Sequence, residues 1–90
     1  MKITSLVEAA EVCELIEDVL IKGKRQYTRY VSNGASIHTY TNFVHTIEGY
    51  IAVIRQMIEK KDDVRVVQAQ IDLAVHYVYR FAKWIGEQIP

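Results

Sequence analysis

Arg25-Gln-Tyr-Thr-Arg-Tyr-Val-Ser-Asn-Gly-Ala-Ser-Ile-His-Thr-Tyr-Thr41 is the stretch on which the reading of this 90-residue chain turns. Asn33-Gly34 is the preferred two-residue loop of a type I′ turn, because both loop positions need positive φ. The flanks are rich in Tyr, Thr, Val and Ile, residues that favour strands. The stretch therefore predicts a β-hairpin over about 25–41, with Tyr30 opposite Ile37, Arg29 opposite His38 and Tyr27 opposite Tyr40. A lone hairpin is marginal in water, so it has to lean on the remaining elements, through Tyr30 and Ile37. A second reading competes with it. The apolar spacing upstream continues through Gly23 and Tyr27, so a first helix can run on to Ser32 with Gly34 as its cap.

Upstream of the hairpin, Ser5-Leu-Val-Glu8 fits a capping box, in which serine and glutamate each satisfy an orphan amide of the other. Leu6, Ala9, Cys13, Ile16 and Leu20 then recur every three or four residues. They predict a helix over about 5–22, with Gly23 in the position past its end. Downstream, Thr41 or Asn42 caps a second helix over about 42–60, whose stripe is Phe43, Val44, Ile47, Ile51, Ile54 and Ile58. Lys60-Lys61 closes it and Asp62-Asp63 opens a third helix over about 63–88, each charge pair suiting the adjacent helix dipole. So short a link makes helices 2 and 3 an antiparallel hairpin.

Val64, Val67, Ile71, Ala74, Val78, Phe81 and Ile85 form the seam of the third helix. Leu73, Val75, Tyr77, Tyr79, Ala82 and Trp84 widen its apolar sector to roughly two-thirds of the circumference at about 100° per residue. One partner helix cannot cover that sector. The third helix is then either central, between helices 1 and 2, or a self-association surface anchored by Tyr77 and Trp84. The expected architecture is one α+β domain over 1–90, mostly helical, in the order helix, β-hairpin, helix, helix, with a long central C-terminal helix. The alternative is an all-α three-helix bundle.

Half of the residues are apolar, which suits a single small domain near the lower limit of independent stability. No apolar run approaches the ~18 residues of a membrane span, and Met1-Lys2-Ile3-Thr4 leads into a charged amphipathic segment instead of a signal peptide, so a cytoplasmic protein is expected. The one cysteine, Cys13, has no internal disulfide partner and lies on the apolar side of helix 1, as a small buried hydrophobe would.

A net charge of zero conceals a division. Residues 1–21 set Lys2 against Glu8, Glu11, Glu14, Glu17 and Asp18, whereas residues 22–29 hold Lys22, Lys24, Arg25 and Arg29 and no acid. The basic segment, with Tyr27 and Tyr30 interleaved, has the chemistry to track a phosphate backbone and stack on bases. It equally has the chemistry of a strand edge whose charges discourage aggregation. The overall balance weighs against a dedicated nucleic-acid binder, which is expected to be basic. Glu11, Glu14 and Asp18 form an acidic surface able to meet a basic partner, although an acidic first helix is also ordinary solvation with a favourable dipole contribution near its N-terminus.

His45 and Glu48 share a helix face at a spacing used in bundle metal sites, but such sites need further ligands converging from other helices. His38 precedes that helix and His76 falls in the polar wedge of helix 3, with Arg65, Asp72, Arg80, Lys83 and Glu87. No metal, no cofactor and no catalytic constellation is expected.

Ile47-Glu48-Gly49, Met57-Ile58-Glu59 and Gln70-Ile71 resemble the Ile-Glu-Gly, Met-Ile-Glu and Gln-Ile pattern of the copper-sensing repressor family and its nickel- and formaldehyde-responsive relatives. The resemblance covers under half of the chain and implies a helical hairpin over helices 2 and 3. It does not carry metal sensing with it, because Val64 stands where that family has its first thiolate ligand.

The expected function is that of a small non-enzymatic, protein-binding regulatory module, an inhibitor or adaptor of the phage or mobile-element kind. Lys24, Arg25, Tyr27, Arg29, Tyr30, Tyr77 and Trp84 are the candidate contact residues, and homo-oligomerisation through helix 3 is a further expectation. The alternative is a nucleic-acid-associated regulator binding through the basic, Tyr-rich hairpin.

Overall fold

The computed structural model of the chain describes residues 1–31 and 37–89. They form three helices, α1 (Leu6–Tyr30), α2 (Ile37–Glu59) and α3 (Val64–Gln88), packed pairwise into a rod 43 Å long and 18 by 16 Å across. Neighbours in sequence run antiparallel, and α1 and α3 run in the same direction. Ile3 donates its amide to Gln68 at one end of the rod, and Tyr27 lies beside Trp84 at the other.

This all-α bundle corrects the α+β expectation. Among the described residues there is no strand, and residues assigned to a hairpin over 25–41 belong to the last turns of α1 and the first turn of α2. The Asn33-Gly34 turn itself lies outside the described residues. Gly23 explains why α1 continues. It is not a cap but a buried mid-helix residue, and a Cβ placed there would lie 2.4 Å from Cε2 of Phe81. Its missing side chain lets the ring of Phe81 on α3 press against the backbone of α1. Tyr27, one turn on, buries its ring in the same seam, and the Val31 amide closes the helix on the Tyr27 carbonyl at 3.0 Å. Core packing outweighs the strand preference of Tyr, Thr and Val here. Tyr27 and Tyr40 do meet, but as rings from two helices with centroids 3.8 Å apart and planes 11° apart.

The start of α1 follows from local chemistry. Ser5 has extended dihedrals, and its hydroxyl accepts the Glu8 amide at 3.2 Å. The Glu8 carboxylate accepts the hydroxyl of Thr4, so the reciprocal half of the expected capping box is replaced by a side-chain contact. Gln68 on α3 fastens the segment before α1. Its carboxamide accepts from the Ile3 amide at 2.7 Å and donates to the Met1 carbonyl at 2.6 Å and to Asp72 at 2.8 Å. Ile3 is thereby buried under the N-terminal end of the bundle.

One core runs the length of the rod: Ala9, Cys13, Ile16 and Leu20 from α1, Ile47, Ile51 and Ile54 from α2, and Val67, Ile71, Ala74, Phe81 and Ile85 from α3. Burial raises the pKa of the Cys13 thiol, with Arg55 opposing and Glu17 adding to that effect. Among the described residues, no buried side-chain nitrogen or oxygen lacks a hydrogen-bond partner.

The link between α2 and α3 is a Schellman-type close. The Asp62 amide reaches the Met57 carbonyl and the Lys61 amide the Ile58 carbonyl, both at 3.0 Å, with Lys61 left-handed at φ 57°. Asp63 then caps α3, accepting the Arg65 amide at 2.8 Å, and the Arg65 side chain and amide together hold its carboxyl below the ordinary aspartate pKa. A lysine in the left-handed region is strained where glycine is not. Lys61→Gly is therefore expected to stabilise the bundle by about 0.5–1 kcal/mol, read as a raised urea midpoint at unchanged slope.

Candidate interaction surfaces

The sequence candidates do not form one site. Of the basic segment, Lys24 faces α2 and lies 3.7 Å from Glu48. Two helical turns earlier on the same side of α1, Glu17 accepts from Nε of Arg55 at 3.1 Å. Both bridges are solvent-exposed, so each contributes at most about 1 kcal/mol and serves mainly to set the register of α1 against α2. Lys24, Arg25, Thr28 and Arg29 line a shallow, open groove of about 440 Å³ on the outside of α1. Tyr27 is not available to it, being 8 % exposed between Tyr40 and Trp84. Burial next to Tyr27 raises the pKa of the Tyr40 hydroxyl. Tyr30 is half exposed, with the Arg29 guanidinium 5.5 Å from its ring centroid. Glu11, Glu14 and Asp18 are exposed on α1.

Tyr77 and Trp84 lie on the other side of the rod, in the cleft between α2 and α3. Trp84 packs at 5.7 Å on Phe43, Phe43 at 5.6 Å on Phe81, and Tyr77 at 5.6 Å on Tyr50, each pair tilted, a geometry favoured by ring quadrupoles. Two adjoining hollows open over these rings. One, of about 280 Å³, is lined by Thr39, Asn42, Phe43, Thr46, Tyr77 and Arg80. The other, of about 240 Å³, is lined by Phe43, Arg80, Lys83, Trp84 and Glu87. Arg80 borders both, its guanidinium 5.7 Å from the centroid of Tyr77, within cation–π range.

The residues of this cleft that sequence reasoning passed over are Phe43, which reads as core, and Arg80 and Lys83, which read as a polar wedge. A usable signal was present: Tyr77, Arg80 and Trp84 follow one another at three and four residues, so one helix face carries two large rings with an arginine between them. His38, His45 and His76 are all exposed, and Glu48 is engaged by Lys24. Among the described residues, no three His, Cys, Asp or Glu side chains group as a metal site. No helix among them is long and apolar enough to cross a membrane.

No protein-family model, curated protein or solved structure matches the chain.

Proposed function

We propose that the chain is a non-enzymatic docking module, acting in the cytoplasm as an inhibitor or adaptor, and that it holds a protein partner in the cleft between α2 and α3. The observation that supports this reading is the composition of that cleft. Half-buried Phe43, Tyr77 and Trp84 form its floor, and Arg80 and Lys83 its rim. Tyr, Trp and Arg are the residues that dominate binding energy at protein interfaces, because large rigid surfaces are buried there at little cost in conformational entropy. Rings already packed on one another are pre-organised, which lowers the ordering cost further. With two cations against the single acid Glu87, the rim suits a partner segment that is acidic around an apolar anchor.

The nucleic-acid reading through the basic segment has less support, since Tyr27 is packed inside the bundle and Lys24 has an acidic neighbour. Site-specific photo-crosslinking separates the two readings. A benzoylphenylalanine at Lys83 is expected to give a discrete, nuclease-resistant protein adduct in native lysate, lost when Arg80→Glu is added. The same probe at Arg25 is expected to give no nucleic-acid adduct at physiological salt. A nuclease-sensitive adduct at Arg25 with none at Lys83 would reverse the assignment. Trp84 is the only tryptophan, so the purified complex is also expected to shift the protein's intrinsic emission.

A further inference from the structure

The face shared by α1 and α3 lies away from that cleft and has a different character. Met1, together with Val12, Leu15 and Val19 of α1 and Val75 and Val78 of α3, lines a hollow of about 170 Å³ with no polar side chain in its walls. Leu15 is 54 % exposed and Val19 37 %, and Tyr79, one turn of α3 beyond Val75, is 70 % exposed. Exposed apolar side chains gathered around an apolar hollow form a surface that gains from being covered.

Charge identifies what covers it. The hollow lies along the acidic part of α1, and the helix changes sign just past it: Glu8 and Glu11 precede it, Glu14, Glu17 and Asp18 fall within its span, and Lys22, Lys24, Arg25 and Arg29 follow. A helix with this arrangement is complementary to an antiparallel copy of itself. Levels along the rod extend the argument to α3. Ile3 is joined to Gln68 and Gly23 abuts Phe81, so the middle of α1 near Glu17 lies level with α3 near Tyr77.

We propose that a second copy of this chain docks on the α1/α3 face, antiparallel, about one two-fold axis crossing both helices at that level. Such an axis sets Leu15 against the partner's Val19, Val75 against the partner's Tyr79, and Glu11 beside the partner's Lys22. Every contact is made twice, as an isologous interface requires. A parallel pairing instead brings Glu8 and Glu11 to the same height as the partner's Asp72, a like-charge arrangement that works against it. The antiparallel dimer leaves both α2/α3 clefts open, so it stands independently of the function proposed for them.

Sedimentation of the full chain from micromolar to millimolar concentration tests the proposal. The wild type is expected to be a reversible dimer, and Leu15→Glu and Tyr79→Glu, both at exposed positions, are expected to be monomers with unchanged helical circular dichroism. Glu11→Lys alone and Lys22→Glu alone should each raise the dimer dissociation constant roughly tenfold, because each breaks two symmetry-related pairs. The two combined should return it to within roughly threefold of wild type. A wild-type monomer at millimolar concentration would sink the proposal. So would a dimer that Leu15→Glu and Tyr79→Glu both leave intact, or a combined swap that fails to restore association.

Discussion

Gly23→Val is expected to destabilise the bundle by about 3 kcal/mol, the upper range for forcing extra atoms into a packed core. At about 5 kcal/mol for a domain of this size, that is more than half of the total stability. A Cβ at this position meets Cε2 of Phe81 at 2.4 Å and Cζ at 3.0 Å, and Phe81 is fully buried, so neither ring nor helix can yield without opening the seam between α1 and α3. Gly23→Ala should cost about 1–2 kcal/mol, since better helix propensity recovers about 1 kcal/mol of the strain. Gly49 and Gly86 provide the control. Nothing lies within 4 Å of a Cβ at either position, and neither has positive φ, so alanine there should stabilise by about 0.5–1 kcal/mol. Urea midpoints of the three alanine variants check the pattern. Adding Phe81→Leu to Gly23→Ala should recover part of the loss, with a coupling of about 1 kcal/mol or more. Three alanine variants that behave alike would show that Gly23 holds no close approach.

The same residue shows why part of the fold was readable in the sequence and part was not. Where a spacing had one structural meaning, it located the core: Val67, Ile71, Ala74, Val78, Phe81 and Ile85 recur at three and four in the sequence and are buried in the bundle. Ser5 and Asp63 carry cap chemistry and cap α1 and α3. Gly23 has two meanings. After Lys22 it resembles a helix end, whereas its role depends on a phenylalanine 58 positions later that no local pattern connects to it. Once that glycine is read as a stop, Tyr27, Thr28, Tyr30 and Val31 become strand formers and Asn33-Gly34 becomes a hairpin tip. The continuing spacing from Leu20 through Gly23 to Tyr27 was the counter-signal, and it belonged to the alternative three-helix reading.

The candidate surfaces divide along the same line. Tyr77 and Trp84 stand out as large rings in the wide apolar sector of helix 3 and face one cleft, but that Arg80 and Lys83 rim it depends on where α2 crosses α3. The charge division of α1 is visible in the sequence. That an apolar hollow lies along its acidic part emerges only when Val75 and Val78 are brought alongside Leu15 and Val19.

Tyr27→Ala is expected to cost about 3 kcal/mol, and Tyr30→Ala less than about 0.5 kcal/mol. The difference follows from burial: Tyr27 is 8 % exposed, with its ring on Tyr40 and near Trp84, whereas Tyr30 is 50 % exposed on the last turn of α1. Tyr40 is half-buried, so its alanine variant should lie between the two. The double variant should show a favourable Tyr27–Tyr40 coupling of about 0.5–1.5 kcal/mol, the range for stacked rings beyond their area burial. A hairpin over 25–41 requires the reverse order, because there Tyr30 leans on the helices together with Ile37. In the bundle, Tyr30 and Ile37 are both exposed. Chemical denaturation of the four variants, with Trp84 emission as the probe, therefore reads the architecture directly. Equal losses at Tyr27 and Tyr30, or a larger one at Tyr30, would contradict a helix that continues through Gly23, since only that continuation turns Tyr27 inward and Tyr30 out.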